Sequence, residues 1–153
     1  MVKWYNTGVK VQAETEIPEL VETLLANRGI SAAERAEFFN PSIRNLASPA
    51  ELPNIDAAAD AVLSVVRACG KIVVFGDYDC DGVCATAILV RTLRALGADV
   101  SPFLPERLSE GYGMSDASVS RMLEDNPGVA LVVTVDNGIN SVEPVAALRA
   151  RGV

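Results

Sequence analysis

From Lys71 onward, short apolar runs alternate with segments of helix length, and this order constrains the fold more than any other feature of the chain. The first run is KIVVFG, the second lies within ADVSPFLP, and the third is ALVVTV. Strands that alternate with helices are typical of a parallel sheet with crossover connections. The sequence therefore predicts an α/β fold, in which the third strand is apolar enough to be buried on both faces.

Turn signals between the strands set the expected bounds of the helices. The loop DYDCDG leads into a helix VCATAILVRTLRALG, and the loop ERLSEGYGM leads into a helix that Ser115 caps and that runs to about Asp125. A last helix begins at Ser141 and ends at Gly152. Val153 then stands where a fourth strand is expected to begin, so we expect the sheet to be incomplete in this chain.

The part of the chain before the first strand is predicted to be helical. A helix from Ile17 to Asn27 comes first, and Ser31 with Glu34 has the spacing of a capping box that opens a second, short helix. The proline-containing run NPSIRNLASPAELPN is expected to be a connector. Asn54 is then predicted to cap a longer amphipathic helix, IDAAADAVLSVVRAC.

Composition limits the classes of function. The chain has 153 residues, of which 50% are hydrophobic, so it can bury a core. Its formal charge of −7 argues against coating nucleic acid with bulk positive charge, but metal sites that act on phosphates are themselves clusters of carboxylates. The sequence contains no histidine, which excludes Ser-His-Asp and Cys-His catalysis and any imidazole ligand within these residues.

The cysteines and the lengths of the apolar segments indicate the cellular compartment in which the protein is expected. Cys69, Cys80 and Cys84 lack the second cysteine pair or the histidines that would complete a zinc site, and we expect them to be reduced, small residues of the core. No apolar stretch approaches the roughly 18 residues of a spanning helix, and the first residues lack the apolar run of a secretory signal. The sequence therefore predicts a cytoplasmic protein without a membrane partner.

Acidic side chains follow two of the predicted strands. The carboxyl ends of parallel strands meet at one edge of a sheet, where ligands bind. The four candidates at this edge are Asp77, Asp79, Asp81 and Asp136. Converging carboxylates repel one another, so a cation is expected among them, and oxygen ligands favour hard ions such as Mg²⁺ or Mn²⁺. We therefore predict these aspartates to be metal ligands and catalytic residues.

Two other interpretations of the aspartates remain open at this point. The pattern D-x-D-x-D-G also opens an EF-hand calcium loop, but the twelfth position, which should be glutamate, holds Ile88, and a strand rather than a helix precedes it. Alternatively, the aspartates cap helices and interact with helix dipoles. Three aspartates at alternate positions plus Asp136 are more than capping requires.

The loop after the second strand is a candidate for substrate binding. Arg107 precedes the EGYG run by three residues, and a guanidinium can hold a phosphate through two hydrogen bonds. Glycine backbone on both sides of a tyrosine can also approach a phosphate closely. Taken alone, the run is more typical of a solvated connector. The candidate substrate-binding residues are Arg107, Glu110, Gly111, Tyr112, Gly113 and Asn137.

These motifs resemble those of a known superfamily. VVFGDYDCDGVCATAILVRTLRALG is similar to the first motif of the DHH phosphoesterases, and LVVTVDNGINS is similar to the third. PERLSEGYGMS resembles the second motif of the RecJ-like branch, and LLANRGIS, FFNPSI and ELPNIDAAADAV resemble its helical lead-in. The resemblance implies a helical lead-in over residues 1–70 and the amino-terminal part of a DHH domain over residues 71–153.

The family resemblance also implies a function. A RecJ-like chain is expected to be a phosphodiesterase that uses two Mn²⁺ or Mg²⁺ ions to degrade single-stranded DNA from the 5′ end in recombination and repair. The resemblance makes Asp77, Asp79, Asp81 and Asp136 metal ligands, with Asp136 bridging both ions. The Asp-His-His motif that names the family is absent from these 153 residues. We therefore expect a fragment that is inactive alone and that self-associates through an exposed sheet edge.

Two further functional hypotheses are kept. A DHH phosphoesterase of the small-substrate kind would act on short oligonucleotides, cyclic dinucleotides or pyrophosphate. A non-catalytic relic of the fold would instead be an interaction module that binds nucleic acid or a replication partner. The retained aspartates argue against the relic, because a scaffold has no need of mutually repelling carboxylates.

Overall fold

The structure, a computed structural model, describes residues 18–153, which group into two compact units that divide between Ser48 and Pro49. The first unit contains helix α1 (Glu19–Asn27), the short helix α2 (Arg35–Phe39) and one 3-10 turn (Ile43–Asn45). The predicted helix start at Ile17 lies outside the described residues. Ser31 donates to the Glu34 carboxylate from its backbone N at 2.9 Å and from its hydroxyl at 2.6 Å. The predicted capping box at the start of α2 is nevertheless not formed, because the helix begins at Arg35 with Glu34 in the N-cap position and without a side-chain cap.

The second unit is an α/β layer structure, as the alternating pattern predicts. After a 3-10 turn (Pro49–Glu51), its elements are α3 (Ile55–Arg67), β1 (Lys71–Phe75), α4 (Cys80–Ala95), β2 (Asp99–Phe103), α5 (Asp116–Asp125), β3 (Val129–Thr134) and α6 (Val142–Ala150). All strand pairs are parallel, and the order across the sheet is β2-β1-β3. The predicted parallel sheet with crossover helices is confirmed.

The central strand β1 places alternate side chains in two separate cores. Ile72 and Val74 point to one face, where α4 and the apolar side of α3 cover the sheet. Val73 and Phe75 point to the other face, where residues of α5 and α6 pack against them. All four side chains have no exposed surface. This period of two is the expected geometry of a strand between two helical layers.

The third strand is less buried than predicted. Val129 is buried, but the remaining residues of β3 are exposed or half-exposed. Its apolar composition suggested a strand with neighbours on both sides, whereas in the described residues β3 pairs only with β1 and forms an edge of the sheet. An apolar edge strand favours association with other chains, and self-association through β3 stays a prediction.

Several helix ends differ from the sequence predictions. Helix α4 begins at Cys80, three residues earlier than predicted, so part of the acidic loop is helical. Asn54 occupies the N-cap position of α3 at φ 60°, and its side chain makes no capping hydrogen bond. Ser141 likewise makes no side-chain cap for α6. The prediction for Ser115 is confirmed, because its hydroxyl accepts from the Ser118 backbone N at 3.1 Å.

The cysteines were predicted to be core residues, and this is wrong. Cys69, Cys80 and Cys84 are all exposed and form no disulfide. Cys80 and Cys84 lie one turn apart on the solvent side of α4, whose buried side is formed by other residues such as Thr86 and Val90. The apolar segments that contain the cysteines therefore did not indicate burial of the thiols. Among residues 18–153, no helix is both long enough and apolar enough to cross a membrane.

Candidate metal centre

The site lies where the connections of the sheet diverge. From β1 the chain crosses through α4 to β2 on one side, whereas β3 lies on the other side of β1. The loops after β1 and β3 therefore leave a crevice at the carboxyl ends of these two strands, the usual position of a ligand in an open α/β sheet. The Val135 backbone N donates to the Phe75 carbonyl at 3.0 Å, which holds the two strand ends together at the floor of the crevice.

Three aspartates meet in this crevice. Asp77, Asp79 and Asp136 each present a carboxylate oxygen, and these three atoms lie within 4.8 Å of one another. Asp77 is 2% exposed, and its Oδ1 accepts from the Tyr78 backbone N at 2.7 Å. Asp79 is the N-cap of α4 and accepts from the Gly82 backbone N at 2.9 Å. The strand end and the helix start thus orient two of the three carboxylates.

Gly82 makes room for the buried carboxylate. The residue lies in the first turn of α4, and a Cβ atom there would stand 2.6 Å from both the Cβ and the carbonyl oxygen of Asp77. Backbone atoms at such a distance cannot move away without displacing the strand end. Gly82 is therefore required for the close approach of α4 to Asp77.

The electrostatics of the cluster favour a cation. Desolvation raises the pKa of the Asp136 carboxyl, and the negative charges of Asp79, Asp81 and Asp77 raise it further. Mutual repulsion among carboxylates is relieved when a positive ion stands between them. All the donors are hard oxygens, as Mg²⁺ and Mn²⁺ prefer. The residues of the cluster thus fit a hard divalent cation.

Asp81 does not lie in this group of three. It is in the first turn of α4 and is exposed, and among the described residues its carboxylate is not one of the converging ligands. Because α4 begins at Cys80, Asp81 belongs to the first turn of the helix, and its charge still acts on Asp136. The helix-cap interpretation of the aspartates holds for Asp79 in part, since this side chain both caps α4 and faces the other two carboxylates.

The candidate substrate loop reaches the cluster through aromatic residues. The Arg107 guanidinium lies 5.1 Å from the ring centroid of Tyr78, and the Tyr78 and Tyr112 rings meet edge to face with centroids 6.4 Å apart. The Tyr112 hydroxyl donates to the Asp136 carbonyl at 3.2 Å. Gly111 and Gly113, at φ 80° and 71°, give the backbone the conformation that brings the tyrosine there. The structure thus places Tyr112 against the backbone of Asp136 and Arg107 over the ring of Tyr78.

Glu110 is held by another residue of the protein. Its Oε1 accepts from Arg121 Nε and its Oε2 from Arg121 Nη2, both at 2.7 Å, and its Oε2 also accepts from the Glu106 backbone N at 2.7 Å. The Arg121 hydrogen bond lowers the pKa of the Glu110 carboxyl, against an opposing effect of desolvation. Arg121 has no local sequence signal, because its partner lies eleven residues earlier in another element.

Asn137 joins the ends of two strands. Its Nδ2 donates to the Phe75 carbonyl at 3.3 Å and to the Val135 carbonyl at 2.9 Å. Its Oδ1 is buried and, within the described part of the chain, has no hydrogen-bond partner. Next to it, an open cleft of about 550 Å³ extends between Tyr112 and the start of α6 at Val142. The Asn137 side chain therefore links the ends of β1 and β3, while its Oδ1 atom accepts no hydrogen bond from the described residues.

Comparisons with known proteins point to one family. The profile described as the DHH family, N-terminal domain, matches residues 71–153. The single-stranded-DNA-specific exonuclease RecJ of Bacillus subtilis is 34% identical over 148 residues, which cover 94% of this chain and 19% of that protein. RecJ of Thermus thermophilus is 45% identical over 102 residues, which cover 67% of this chain and 15% of the relative. The chain therefore spans less than a quarter of the length of these two relatives.

Two solved structures show the same likeness. A crystal structure of exonuclease RecJ bound to manganese superposes with a TM-score of 0.63 at 42% identity, over 71% of this chain and 27% of that one. A crystal structure of RecJ from Thermus thermophilus in complex with Mn²⁺ gives a TM-score of 0.55 at 36% identity, over 84% of this chain and 17% of that one. Both crystal structures contain manganese, an ion that prefers oxygen ligands such as those of the aspartate cluster.

Proposed function

The chain belongs to the DHH family, as its motifs predict, and from that premise we propose that it is the metal-binding part of a nuclease that cleaves single-stranded DNA. The observation that carries the proposal is the meeting of Asp77, Asp79 and Asp136 within 4.8 Å at the crevice between β1 and β3. Relatives that match most of this chain are named single-stranded-DNA-specific exonucleases. Exonucleolytic cleavage from the 5′ end, in recombination and repair in the cytoplasm, is part of the same proposal.

The metal is proposed to be Mn²⁺ or Mg²⁺, with two ions in the complete enzyme. A bound divalent ion polarises a phosphoryl oxygen and makes water a better nucleophile at neutral pH. Asp77, buried at the strand end, is a rigid ligand, and Asp79 is oriented by its bond from Gly82. Asp136 follows the neighbouring strand β3, so an ion bound by all three carboxylates would link the loops after β1 and β3 across the crevice. Asp81 is proposed to take part through its charge or as a ligand in the complete enzyme.

The loop beside the aspartates is proposed to bind the DNA. Arg107 lies over the ring of Tyr78, the residue between Asp77 and Asp79, and its positive charge is proposed to bind a substrate phosphate. Tyr78 and Tyr112 offer aromatic rings to a nucleic-acid base, and base stacking on such rings is tolerant of sequence. Gly111 and Gly113 are proposed to allow close approach of the backbone to the substrate. Glu110 is proposed to shape this loop through Arg121 rather than to touch DNA.

The domain division at residue 70 is also a proposal. The family match begins at residue 71, which supports it. Helix α3 (Ile55–Arg67) nevertheless contributes apolar side chains to the core on one face of the sheet. We propose that α3 is the last element of the lead-in and that it has become part of the packing of the DHH domain.

Metal binding by the chain tests the carboxylate assignment. Mn²⁺ titrated into the 153-residue chain by calorimetry should bind, and Asp136→Asn should weaken binding by about tenfold or more, a loss of roughly 1.4 kcal/mol. Asp60→Asn, which removes an exposed aspartate on α3 outside the cluster, is the matched control and should bind as the wild type does. Equal affinity in Asp136→Asn and the wild type would remove the basis of the proposal.

The substrate class is tested separately with the complete enzyme. A length series of 5′-labelled oligonucleotides distinguishes an exonuclease on long single strands from a phosphoesterase of short oligonucleotides. We expect the rate on long strands to equal or exceed that on dinucleotides. A strong preference for dinucleotides or cyclic dinucleotides would favour the second hypothesis of a small-substrate enzyme.

A further inference from the structure

Asp136 is the member of the aspartate cluster whose own surroundings fix it least. Asp77 is buried at the end of β1, and the Asp79 carboxylate accepts from the Gly82 backbone N at 2.9 Å. Asp136 is exposed and follows β3, an edge strand among the described residues. Repulsion from the other two carboxylates favours movement of this residue away from them. Other contacts must therefore hold its carboxylate within 4.8 Å of theirs.

The turn that contains Asp136 has an unusual backbone conformation. The φ of Asp136 is 60°, in the left-handed region, which costs free energy for a residue with a Cβ atom. The turn then folds back on β3, because a Cβ atom on Gly138 would stand 2.5 Å from the Thr134 hydroxyl oxygen. A strained turn persists only where the surrounding structure fixes it. The contacts of the turn therefore identify the residues on which the position of Asp136 depends.

Asn137 fixes the chain on both sides of Asp136. Its Nδ2 donates to the Phe75 carbonyl at 3.3 Å and to the Val135 carbonyl at 2.9 Å. The same Phe75 carbonyl accepts from the Val135 backbone N at 3.0 Å. The side-chain amide thus continues the hydrogen bonding between β1 and β3 past the end of the strands. Since Val135 and Asn137 are the two sequence neighbours of Asp136, these bonds restrict the turn before and after it.

Tyr112 holds Asp136 from a different loop. Its hydroxyl donates to the Asp136 carbonyl at 3.2 Å. Tyr112 follows β2, which lies on the opposite side of β1 from β3, so this bond links the loops of two strands that are not neighbours. The Tyr112 side chain is largely exposed, and its hydroxyl can be removed without opening a cavity in the core.

We propose that Asn137 and Tyr112 are positioning residues for the metal site. They act through Asp136, which they hold in the conformation that keeps its carboxylate beside the other two aspartates. The inference rests on the proposed function, because it concerns the same carboxylate cluster. A ligand that is already in place loses less conformational freedom when the ion binds, so the two side chains raise the affinity for the ion without touching it. The Tyr112 hydroxyl thereby has a role separate from that of its ring.

Calorimetric titration of Mn²⁺ into the 153-residue chain measures the effect of each side chain. Asn137→Ala removes both amide donors, and Tyr112→Phe removes only the hydroxyl. We expect each to weaken Mn²⁺ binding about three- to tenfold, the loss that corresponds to one ordinary hydrogen bond. Tyr112→Leu should match Tyr112→Phe, since the hydroxyl rather than the ring acts on Asp136. Asn140→Ala makes the same change at an exposed asparagine three residues later, and as the matched control it should bind as the wild type does.

Two further measurements distinguish positioning from a general loss of structure. In a chain that carries Asp136→Asn, adding Asn137→Ala or Tyr112→Phe should change the Mn²⁺ affinity by less than about twofold, because the carboxylate that they position is gone. In the metal-free chain, Tyr112→Phe should leave the free energy of unfolding in urea nearly unchanged although its Mn²⁺ affinity falls. A merely structural role would lower the free energy of unfolding and leave the Mn²⁺ affinity of the folded chain unchanged.

The outcomes separate this inference from the proposed function. If the wild type binds no Mn²⁺, both fail. If Asp136→Asn weakens Mn²⁺ binding but Asn137→Ala and Tyr112→Phe bind as the wild type does, the inference alone fails. Losses of affinity that are equal with and without the Asp136 carboxylate would also overturn it, since the two side chains would then act on the ion by another route.

Discussion

The contact between Arg121 and Glu110 is the most sharply testable feature of the substrate loop. Besides its two hydrogen bonds to the carboxylate, Arg121 donates from Nη2 to the Leu104 carbonyl at 2.9 Å. Its guanidinium carbon lies 4.2 Å from the centroid of the Phe103 ring. The Glu110 side chain is 7% exposed and that of Arg121 is 35% exposed. Arg121→Met keeps much of the apolar stem over Phe103 but removes every donor and the charge.

The expected cost follows from the burial of Glu110. Removing one partner of a fully buried ion pair costs about 3–5 kcal/mol, because the other charge is left uncompensated. Arg121 is about a third exposed, so solvent screens part of the interaction, and we expect Arg121→Met to lower the free energy of unfolding by about 2–3 kcal/mol. For a chain of this size, that is a fall in Tm of about 5–10 °C. Arg91→Met, which changes an exposed arginine of α4, is the control and should change Tm little.

The pH dependence gives an independent check on the same contact. The pKa of Glu110 is lowered in the folded chain, chiefly by the Arg121 hydrogen bond. A carboxyl with a lowered folded pKa stabilises the fold at pH values above its unfolded pKa of about 4.3 and loses that contribution as the pH falls through the folded pKa. The stability difference between the wild type and Arg121→Met should therefore be largest near neutral pH and shrink below about pH 4.

A double-mutant cycle decides whether the two residues act on each other. Glu110→Gln alone should cost less than Arg121→Met, because it leaves no buried charge. The double variant should be less destabilised than the sum of the two by roughly 1–2 kcal/mol. Urea unfolding of the four proteins measures this. Costs that add within about 0.5 kcal/mol, with no dependence on pH, would refute the reasoning from the geometry of the pair.

Three further predictions concern the crevice. Gly82→Ala should lower the free energy of unfolding, measured in urea, by about 1–3 kcal/mol and should weaken Mn²⁺ binding, because its Cβ would meet the backbone of Asp77. Since alanine normally favours a helix, a gain in stability would contradict this prediction. Asp136→Asn should raise the Tm of the metal-free chain, because it relieves repulsion among the carboxylates and asparagine tolerates the φ of 60° at this position. Added Mn²⁺ should then no longer raise the Tm of the variant. A Tm response to Mn²⁺ equal to that of the wild type would contradict the assignment of Asp136 as a metal ligand. In the complete enzyme, Arg107→Ala should raise KM for single-stranded DNA and flatten its salt dependence by about one phosphate contact, whereas equal KM and salt slope would leave the loop a connector.

The amino-acid sequence alone was sufficient for the architecture and for the location of the site. Apolar runs that alternate with helical segments have few arrangements other than a parallel sheet with crossovers, because each strand must bury its faces under helices. Acidic residues after the first and third strands then share an edge whatever the details of packing. For this reason Asp77, Asp79 and Asp136 could be identified as neighbours although the last two lie far apart in the chain.

Only the tertiary structure decided which side chains meet and which merely lie nearby. Asp81 lies in the first turn of α4, and its carboxylate acts on Asp136 through its charge without joining the three that converge within 4.8 Å; the start of α4 at Cys80 depends on caps that compete over a few residues. The role of Arg121 depends on a helix packing against the loop that holds Glu110, which no local pattern encodes. The exposure of Cys80 and Cys84 likewise depends on which face of α4 the sheet covers. Local spacing determines which elements form, whereas the partner of each side chain is set by the rotation and register of those elements on one another.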